Sequence, residues 1–412
     1  MQDTLSARGI WALGITQIIG YGTLYYSFGV LAPEIGREFG WSPEWVYGAL
    51  TVALLAGGLL APVAGHLADR FGAARTMAVG SVAAAISLAA AALSSNGPAY
   101  ATALIAMEVA SSAVLYATAF AAIVQAGSQN AQRRITHLTL IAGFASTLFW
   151  PLTGFMLSVM DWHAAYLVFA GLNLAVCAPL HYRLSRRPRH DRAHAAPAQH
   201  EGTTTPPPLA GTLAGPNRST GFGLMMFGFA IEGFILSAVL MQIIPLLHGL
   251  GLGDGTLLVT SLFGPAQVLS RLFFLSRNFL PTRMAIIAAM LLPLGALALV
   301  LTAPSLPGAV MFAILFGFGS GLISIVSGSL PLQLMGRDKY GAKLGWLSSA
   351  RQIASAVAPF CLALLMSTFG VTGGLWAVVG LGAVSIATFA TLALLPRRTD
   401  GSSSRQEPVA SA

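Results

Sequence analysis

Gly65-His-Leu-Ala-Asp69-Arg70-Phe-Gly-Ala-Ala-Arg75 joins two long apolar runs, 44–66 and 74–94, and places one acid and two arginines between them. Taken alone, it reads as a charged loop of the kind that fixes which side of a membrane a connection occupies. The surrounding chain supports a membrane setting. It has 412 residues, 55% hydrophobic and 9% charged, with a mean hydropathy of +0.73. Soluble domains carry about 25% charged residues, so the composition indicates a polytopic membrane protein.

The formal charge is +8, but the bases fall between apolar runs and not on a continuous face. Topology therefore accounts for them, and no nucleic-acid partner is expected. Cys177 and Cys361 lie in apolar segments without metal-type spacing and read as packing thiols. The first apolar run is too long for the core of a signal peptide and reads as a retained span.

Runs long enough to cross a bilayer fall at 9–31, 44–66, 74–94, 99–125, 136–160 and 164–183, then at 220–247, 256–276, 284–303, 307–334, 343–368 and 372–395. The expected fold is all-α, with twelve transmembrane helices in two six-helix bundles, 1–183 and 219–398. A linker at 184–218 separates them, and a flexible tail, 399–412, follows. The linker region, from roughly His181 to Arg218, holds Arg186-Arg187-Pro-Arg189, several histidines and Thr203-Thr-Thr-Pro-Pro-Pro208. That composition cannot bury a core and reads as disordered.

With the N-terminus inside, the cytoplasmic segments hold Arg8, Arg70, Arg75, Arg133, Arg134, most linker bases, Arg277, Arg283, Arg337, Lys339, Lys343, Arg397 and Arg398. The opposite side holds Arg37 with Glu34, Glu38, Glu44, Asp161 and Asp254. Both termini are thus expected in the cytoplasm of a plasma membrane, here a bacterial inner membrane. Ser276-Arg277-Asn-Phe-Leu-Pro-Thr-Arg283 follows the eighth run as Gly65–Arg75 follows the second, which suggests a parallel repeat.

Gly65–Arg75 resembles the signature between spans two and three of the major facilitator superfamily, G-x-L-a-D-R-x-G-x-R. The resemblance implies a cytoplasmic gate, with Gly65 allowing close helix approach and Asp69, Arg70 and Arg75 acting as latch residues. Asp69 would pair with bases and with a helix end in one state of the cycle. A narrower resemblance rests on Tyr26-Ser-Phe-Gly-Val30, Glu34-Ile-Gly-Arg-Glu-Phe-Gly-Trp41-Ser42 and Trp45. These are similar to the first-span exit of the monocarboxylate transporter and oxalate–formate antiporter branch, whose members move small carboxylates. Arg271 occupies that branch's basic position in span eight, with Gln267 where an acid would stand four residues earlier. Ala350-Arg351-Gln352 resembles its basic stretch in span eleven. Its first-span lysine has no counterpart, Tyr25-Tyr26-Ser27 filling that region.

Glu108, Glu232, Arg271 and Arg351 are the charged groups deep within the runs. A guanidinium stays protonated in a protein, and at the centre of a membrane helix it costs roughly 2.5–3.5 kcal/mol. Arg271 therefore needs a cavity, a carboxylate or a transient anion. Six residues separate it from Arg277, about 9 Å of helix, and eight separate Arg351 from Lys343, about 12 Å. Two guanidiniums at similar depth would form a carboxylate clamp; a structural pairing of each with a backbone carbonyl is the plainer alternative. Burial disfavours an ionised carboxyl, so Glu108 or Glu232 would carry a proton or balance an arginine, or simply pack; Glu232 is the favoured one of the two, because it shares the second half with both arginines.

Gln17, Tyr21 and Tyr25 are spaced i, i+4, i+8, one helical face, as an opposing wall or a packing stripe. Gln267, Tyr116, Trp150 and Gln242 are weaker candidates. Ser324, Ser327 and Ser329 read first as small-residue packing. No phosphate loop, metal cluster or nucleotide motif is present, so neither enzyme activity nor a cofactor or metal is expected. The expected function is secondary transport of a small organic anion, a mono- or dicarboxylate, by exchange or proton symport, in a monomer. A proton-coupled efflux carrier for drugs or metalloid solutes is the alternative.

Overall fold

A computed structural model describes residues 6–127, 130–186, 211–252, 255–276 and 279–397. Asp254, Arg277, Arg398, the linker from 187 to 210 and the tail lie outside these. The described residues form helices and connecting turns, with one isolated bridge between Leu213 and Arg397.

In order, α1 (Ala7–Tyr21) runs through a π turn (Gly22–Tyr26) into α2 (Ser27–Phe39), followed by α3 (Pro43–Phe71) and α4 (Ala73–Ala92). Next come α5 (Gly97–Val114), α6 (Tyr116–Gln125), α7 (Ala131–Ala142), α8 (Ala145–Val159), α9 (Trp162–Leu172) and α10 (Ala178–Ser185). Beyond the linker are α11 (Arg218–Met241), α12 (Ile243–Gly249), α13 (Thr256–Leu275), α14 (Pro281–Thr302), α15 (Leu306–Met335) and α16 (Tyr340–Leu394). Polar residues at the apolar boundaries start several of them. Asn96, Asp161 and Ser305 accept from the main-chain N–H three residues on, at 2.9, 2.7 and 3.2 Å.

Ten helical segments among the described residues are long and apolar enough to cross a membrane, against twelve apolar runs in the sequence. Two local features explain the difference. The first run is helical from Ala7 to Phe39, but Gln17, Tyr21, Tyr25 and Tyr26 dilute its apolar character. The last two runs are continuous in α16, which bends at Gly370 with φ 73° and ψ 170°, a conformation open to glycine.

Before the linker, α4 packs on α5, α9 and α10, α3 packs on α5, and α1 lies on α7. After it, α11 and α14 pack on α16, and α13 and α14 on α15. The two sets meet through α3 and α6 on α16, and through α7 on α13 and α15. The crossing of α3 and α16 is close because both carry glycines at the contact. A Cβ at Gly65 would run into the Gly341 carbonyl oxygen, and one at Gly345 would lie 2.6 Å from that of Ala61. Contacts continue to Gly57 and Gly58, which face Gln352 and Ile353, beside Arg351.

The halves repeat one polar clamp. Gln125, at the end of α6, accepts from Ala73 N at 2.8 Å and donates to the Ala68 carbonyl at 2.9 Å, bridging the turn from α3 to α4. Gln333, near the end of α15, accepts from Thr282 N at 3.1 Å and from its hydroxyl at 3.0 Å, at the start of α14.

The end of the linker differs from the disordered segment expected. Thr212 N and Leu213 N donate to the carbonyls of Gln333 and Leu334 at 3.0 and 3.2 Å, and Arg218 Nη2 to that of Met335 at 2.6 Å. Residues 212–218 thus satisfy carbonyls that the end of α15 leaves open. His181, at the linker's sequence edge, is buried in α10, where Ser81 and Thr16 hydroxyls meet its two ring nitrogens, each at 2.9 Å.

Candidate functional site

Arg271 lies near the end of α13 and is only 4% exposed. Two rungs one turn apart tie its face of α13 to α15. Gln267 Nε2 donates to Ser320 Oγ at 3.1 Å, and Arg271 Nη2 to Ser324 Oγ at 3.1 Å. Nε and Nη1 of Arg271 are buried without a hydrogen-bond partner among the described residues. Ser324 is therefore more than a packing residue, and Ser320 is a partner that sequence reasoning missed.

Arg351, in the first arm of α16, is partly buried against Gly233 of α11. Among the described residues, neither arginine has a carboxylate within salt-bridge distance.

A group of tyrosines connects the two. Tyr116 lies in the electrostatic field of both guanidiniums, Tyr26 in that of Arg271, and Tyr21 and Tyr25 in that of Arg351. Ring centroids are 4.6 Å apart for Tyr21 and Tyr116, 6.4 Å for Tyr21 and Tyr26, and 5.2 Å for Tyr25 and Tyr26. Trp150 of α8 stands edge-on to Tyr26 at 5.8 Å. Tyr25 itself is 43% exposed.

The π turn decides which tyrosines meet. It adds a residue to the turn, so Tyr26, five residues after Tyr21, contacts it, while Tyr25 pairs with Tyr26. The single face expected from Gln17, Tyr21 and Tyr25 is not kept. Gln17 is buried and donates from Nε2 to the Val114 carbonyl at 2.7 Å, where Leu115 (φ −84°, ψ −167°) splits α5 from α6. Tyr21 packs on Tyr116 at the same break. Gln17 thus supplies a side-chain partner to interrupted backbone, the usual requirement for a broken helix at membrane depth.

The two buried acids are placed differently. Glu232 of α11 takes a hydrogen bond from Ser385, in the second arm of α16, on Oε1, and its Oε2 has no partner among the described residues. It is not brought together with either arginine by any hydrogen bond. Glu108 of α5 accepts from Ser111 Oγ at 3.3 Å, and its field reaches Tyr25 and Tyr166.

Where α3 meets α16, Asp69 accepts from Gly341 N at 2.9 Å and Ala342 N at 2.8 Å. Arg70 and Arg75 are exposed, Arg70 lying 5.1 Å over the ring of Phe71. A cavity of about 490 Å³ lined by Glu34, Arg37, Glu38, Leu157, Met160, Asp161 and Trp162 contains none of the arginines or tyrosines of the central group.

Comparison with solved structures finds the same fold in proteins of low sequence identity. The human organic anion transporter MFSD10 (TETRAN) matches with a TM-score of 0.70 at 15% identity, over 93% of this chain and 98% of that one. The transporter FucP in its outward conformation matches with 0.68 at 12%, over 94% and 99%. The proton:xylose symporter XylE, bound to 6-bromo-6-deoxy-D-glucose, matches with 0.65 at 14%, over 95% and 97%. Comparison with curated protein sequences found no match. The Major Facilitator Superfamily model matches residues 13–359, and the chain belongs to that superfamily of membrane transporters.

Proposed function

We propose that this transporter carries a small organic anion, a mono- or dicarboxylate, bound between Arg271 and Arg351 and moved by alternating access. The observation that carries the reading is the buried Arg271 guanidinium, with Nε and Nη1 unpartnered. A buried charge with open donors is costly, and a carboxylate supplies charge and acceptors together. A drug-sized apolar solute would leave both nitrogens unmet, which weighs against the efflux alternative. Tyr116, in the field of both arginines, and Tyr21, Tyr25 and Tyr26 would complete the binding wall. The description of MFSD10 as an organic anion transporter is in keeping with this reading.

The chain would make twelve crossings, counting Ala7–Phe39 as one and the arms of α16 as two, with both termini in the cytoplasm. Asp69 would then latch the cytoplasmic end, and the arginines would face the outside. Two fixed positive charges oppose reorientation of the empty carrier. A dianion offsets both and favours exchange; a monoanion needs a second negative charge. Glu108 is assigned that coupling role in preference to Glu232, because its main-chain carbonyl and Gln352, the residue after Arg351, both border Gly57.

The test is uptake of lactate, oxalate, malonate and succinate into proteoliposomes, with Arg271→Ala and Arg351→Ala beside the parent. Uptake of at least one carboxylate that collapses in both variants is expected. Carboxylate uptake persisting in both would sink the clamp, and accumulation of cationic drugs uncompeted by carboxylates would establish the efflux alternative.

A further inference from the structure

Each arginine rests against a glycine, and the two glycines stand on opposite sides of the linker. A Cβ at Gly233 would lie 2.5 Å from Cγ of Arg351 and 2.8 Å from its carbonyl oxygen. Hydrogen bonds lock α11 to α16 at that level, from Ser355 Oγ to the Gly233 carbonyl at 2.9 Å and from Ser237 Oγ to the Ser355 carbonyl at 2.7 Å. Both elements follow the linker, so this notch travels with Arg351.

Arg271 is held differently. The position a Cβ would take on Gly143 is occupied by its Nη1, with Cζ 3.1 Å away. Gly143 ends α7, which precedes the linker, whereas Arg271 stands on α13, which follows it. Gly143 also lies at the break between α7 and α8, where Gly143 N and Phe144 N bond back to the carbonyls of Thr139 and Ile141 at 3.0 and 3.2 Å. The guanidinium therefore abuts the carbonyl end of α7, a favourable location for a cation.

We propose that Gly143 is a positioning residue for Arg271, and that its notch exists only while the two halves are joined at the Asp69 end. In that state Gly143 and Ser324 immobilise the guanidinium, with Nη1 filling the notch and Nε without a partner among the described residues. When the Asp69 end parts, α7 leaves α13, and Arg271 loses one wall and gains water. Arg351 keeps its own wall at Gly233. The clamp is thus rigid in one state and half-released in the other, which favours discharge of the anion toward the Asp69 side. Only that last step rests on the anion reading above; the state-dependent notch does not.

Labelling of the two arginines reads the notch without transport. Phenylglyoxal, which condenses with accessible guanidinium groups, is applied to the full-length protein in liposomes, and modification of Arg271 and Arg351 is quantified by mass spectrometry. Gly143→Ala is expected to raise labelling of Arg271 and leave Arg351 at the parent rate. Asp69→Ala, which leaves the notch intact but weakens the joined state, is expected to raise Arg271 labelling about fivefold or more, the population change that loss of a helix cap produces. Adding Arg271→Lys to Gly143→Ala removes the colliding Nη1 and is expected to restore part of the malonate uptake lost in Gly143→Ala. Labelling of Arg271 at the parent rate in Asp69→Ala, or a parallel rise at Arg351, overturns the proposal. Either result decides it even if Gly143→Ala fails to fold or malonate is not a substrate.

Discussion

Asp69 caps a helix from a distant part of the chain, its Oδ1 accepting the N–H of Gly341, 272 residues later, at 2.9 Å. Oδ2 takes the next N–H, that of Ala342, at 2.8 Å. The helix has no cap of its own. Lys339 stands at the N-cap position with φ 44° and makes no side-chain cap bond. A carboxylate delivered by α3 therefore satisfies two donors of α16 and meets its positive end.

Losing this cap should favour the state in which the Asp69 end is open. A cap contributes about 0.5–2 kcal/mol, and one to two kcal/mol is about a 5–30-fold change in an equilibrium. Asp69→Ala is expected to increase maleimide labelling of a cysteine placed at buried Ser349, in a background with Cys177 and Cys361 replaced, by a factor in that range. Gly65→Ala should act in the same direction, since its Cβ collides with the Gly341 carbonyl. The double variant should fall short of the sum, because both changes break one contact. Additive effects would show that the cap and the close crossing are independent.

Much of this contact was legible before any coordinates, because Gly65 and Asp69 stand in a motif whose spacing is rigid within one helix. The tyrosine group was not. Tyr26 gains its place through one extra residue in a π turn, and neither a proline nor a glycine at Leu115 announces the break that brings Tyr116 against Tyr21. Arg271 could be read from the cost of its charge, but Ser320 and Ser324 resemble packing serines until α13 and α15 are in register. The 212–218 segment was hidden for a different reason. Its polar composition describes how little it buries, and its order comes from carbonyls supplied by α15.

Tyr116→Phe removes the hydroxyl within the field of both arginines while keeping the ring that stacks on Phe120 at 5.1 Å. Packing should survive and anion binding should not. A hydrogen bond to a charged group contributes about 1.5–3 kcal/mol, so KM for the transported carboxylate is expected to rise at least tenfold at unchanged expression and thermal midpoint. Tyr100→Phe is the control. Its hydroxyl bonds that of Tyr166 at 3.0 Å, and its loss should leave KM near the parent value. Equal KM values for the Tyr116 variant and the parent would remove Tyr116 from the site.

Glu108 and Glu232 should separate in the coupling assay. Glu108 borders Gly57 together with Gln352, the residue after Arg351, whereas Glu232 is hydrogen-bonded by Ser385. Glu108→Gln is expected to abolish the stimulation of carboxylate uptake by an imposed proton gradient while leaving carboxylate exchange intact. Glu232→Gln keeps an acceptor for Ser385 and should retain the stimulation. The opposite pattern would move the coupling role to Glu232, and loss of stimulation in both would assign it to the pair.

The glutamine clamps give the internal repeat an energetic test. Gln125 and Gln333 each accept from the first turn of a helix that precedes them in the chain, α4 and α14, through Ala73 N at 2.8 Å and Thr282 N at 3.1 Å. Each makes a second bond, to the Ala68 carbonyl at 2.9 Å and from the Thr282 hydroxyl at 3.0 Å. With about 1 kcal/mol net per bond, Gln125→Ala and Gln333→Ala should each cost about 2 kcal/mol. Their midpoints of thermal denaturation in detergent should therefore fall by similar amounts. The clamps belong to separate halves and share no partner, so the double variant should show the sum. A large loss from one substitution and none from the other would mean that the paired geometry is not matched by paired energetics.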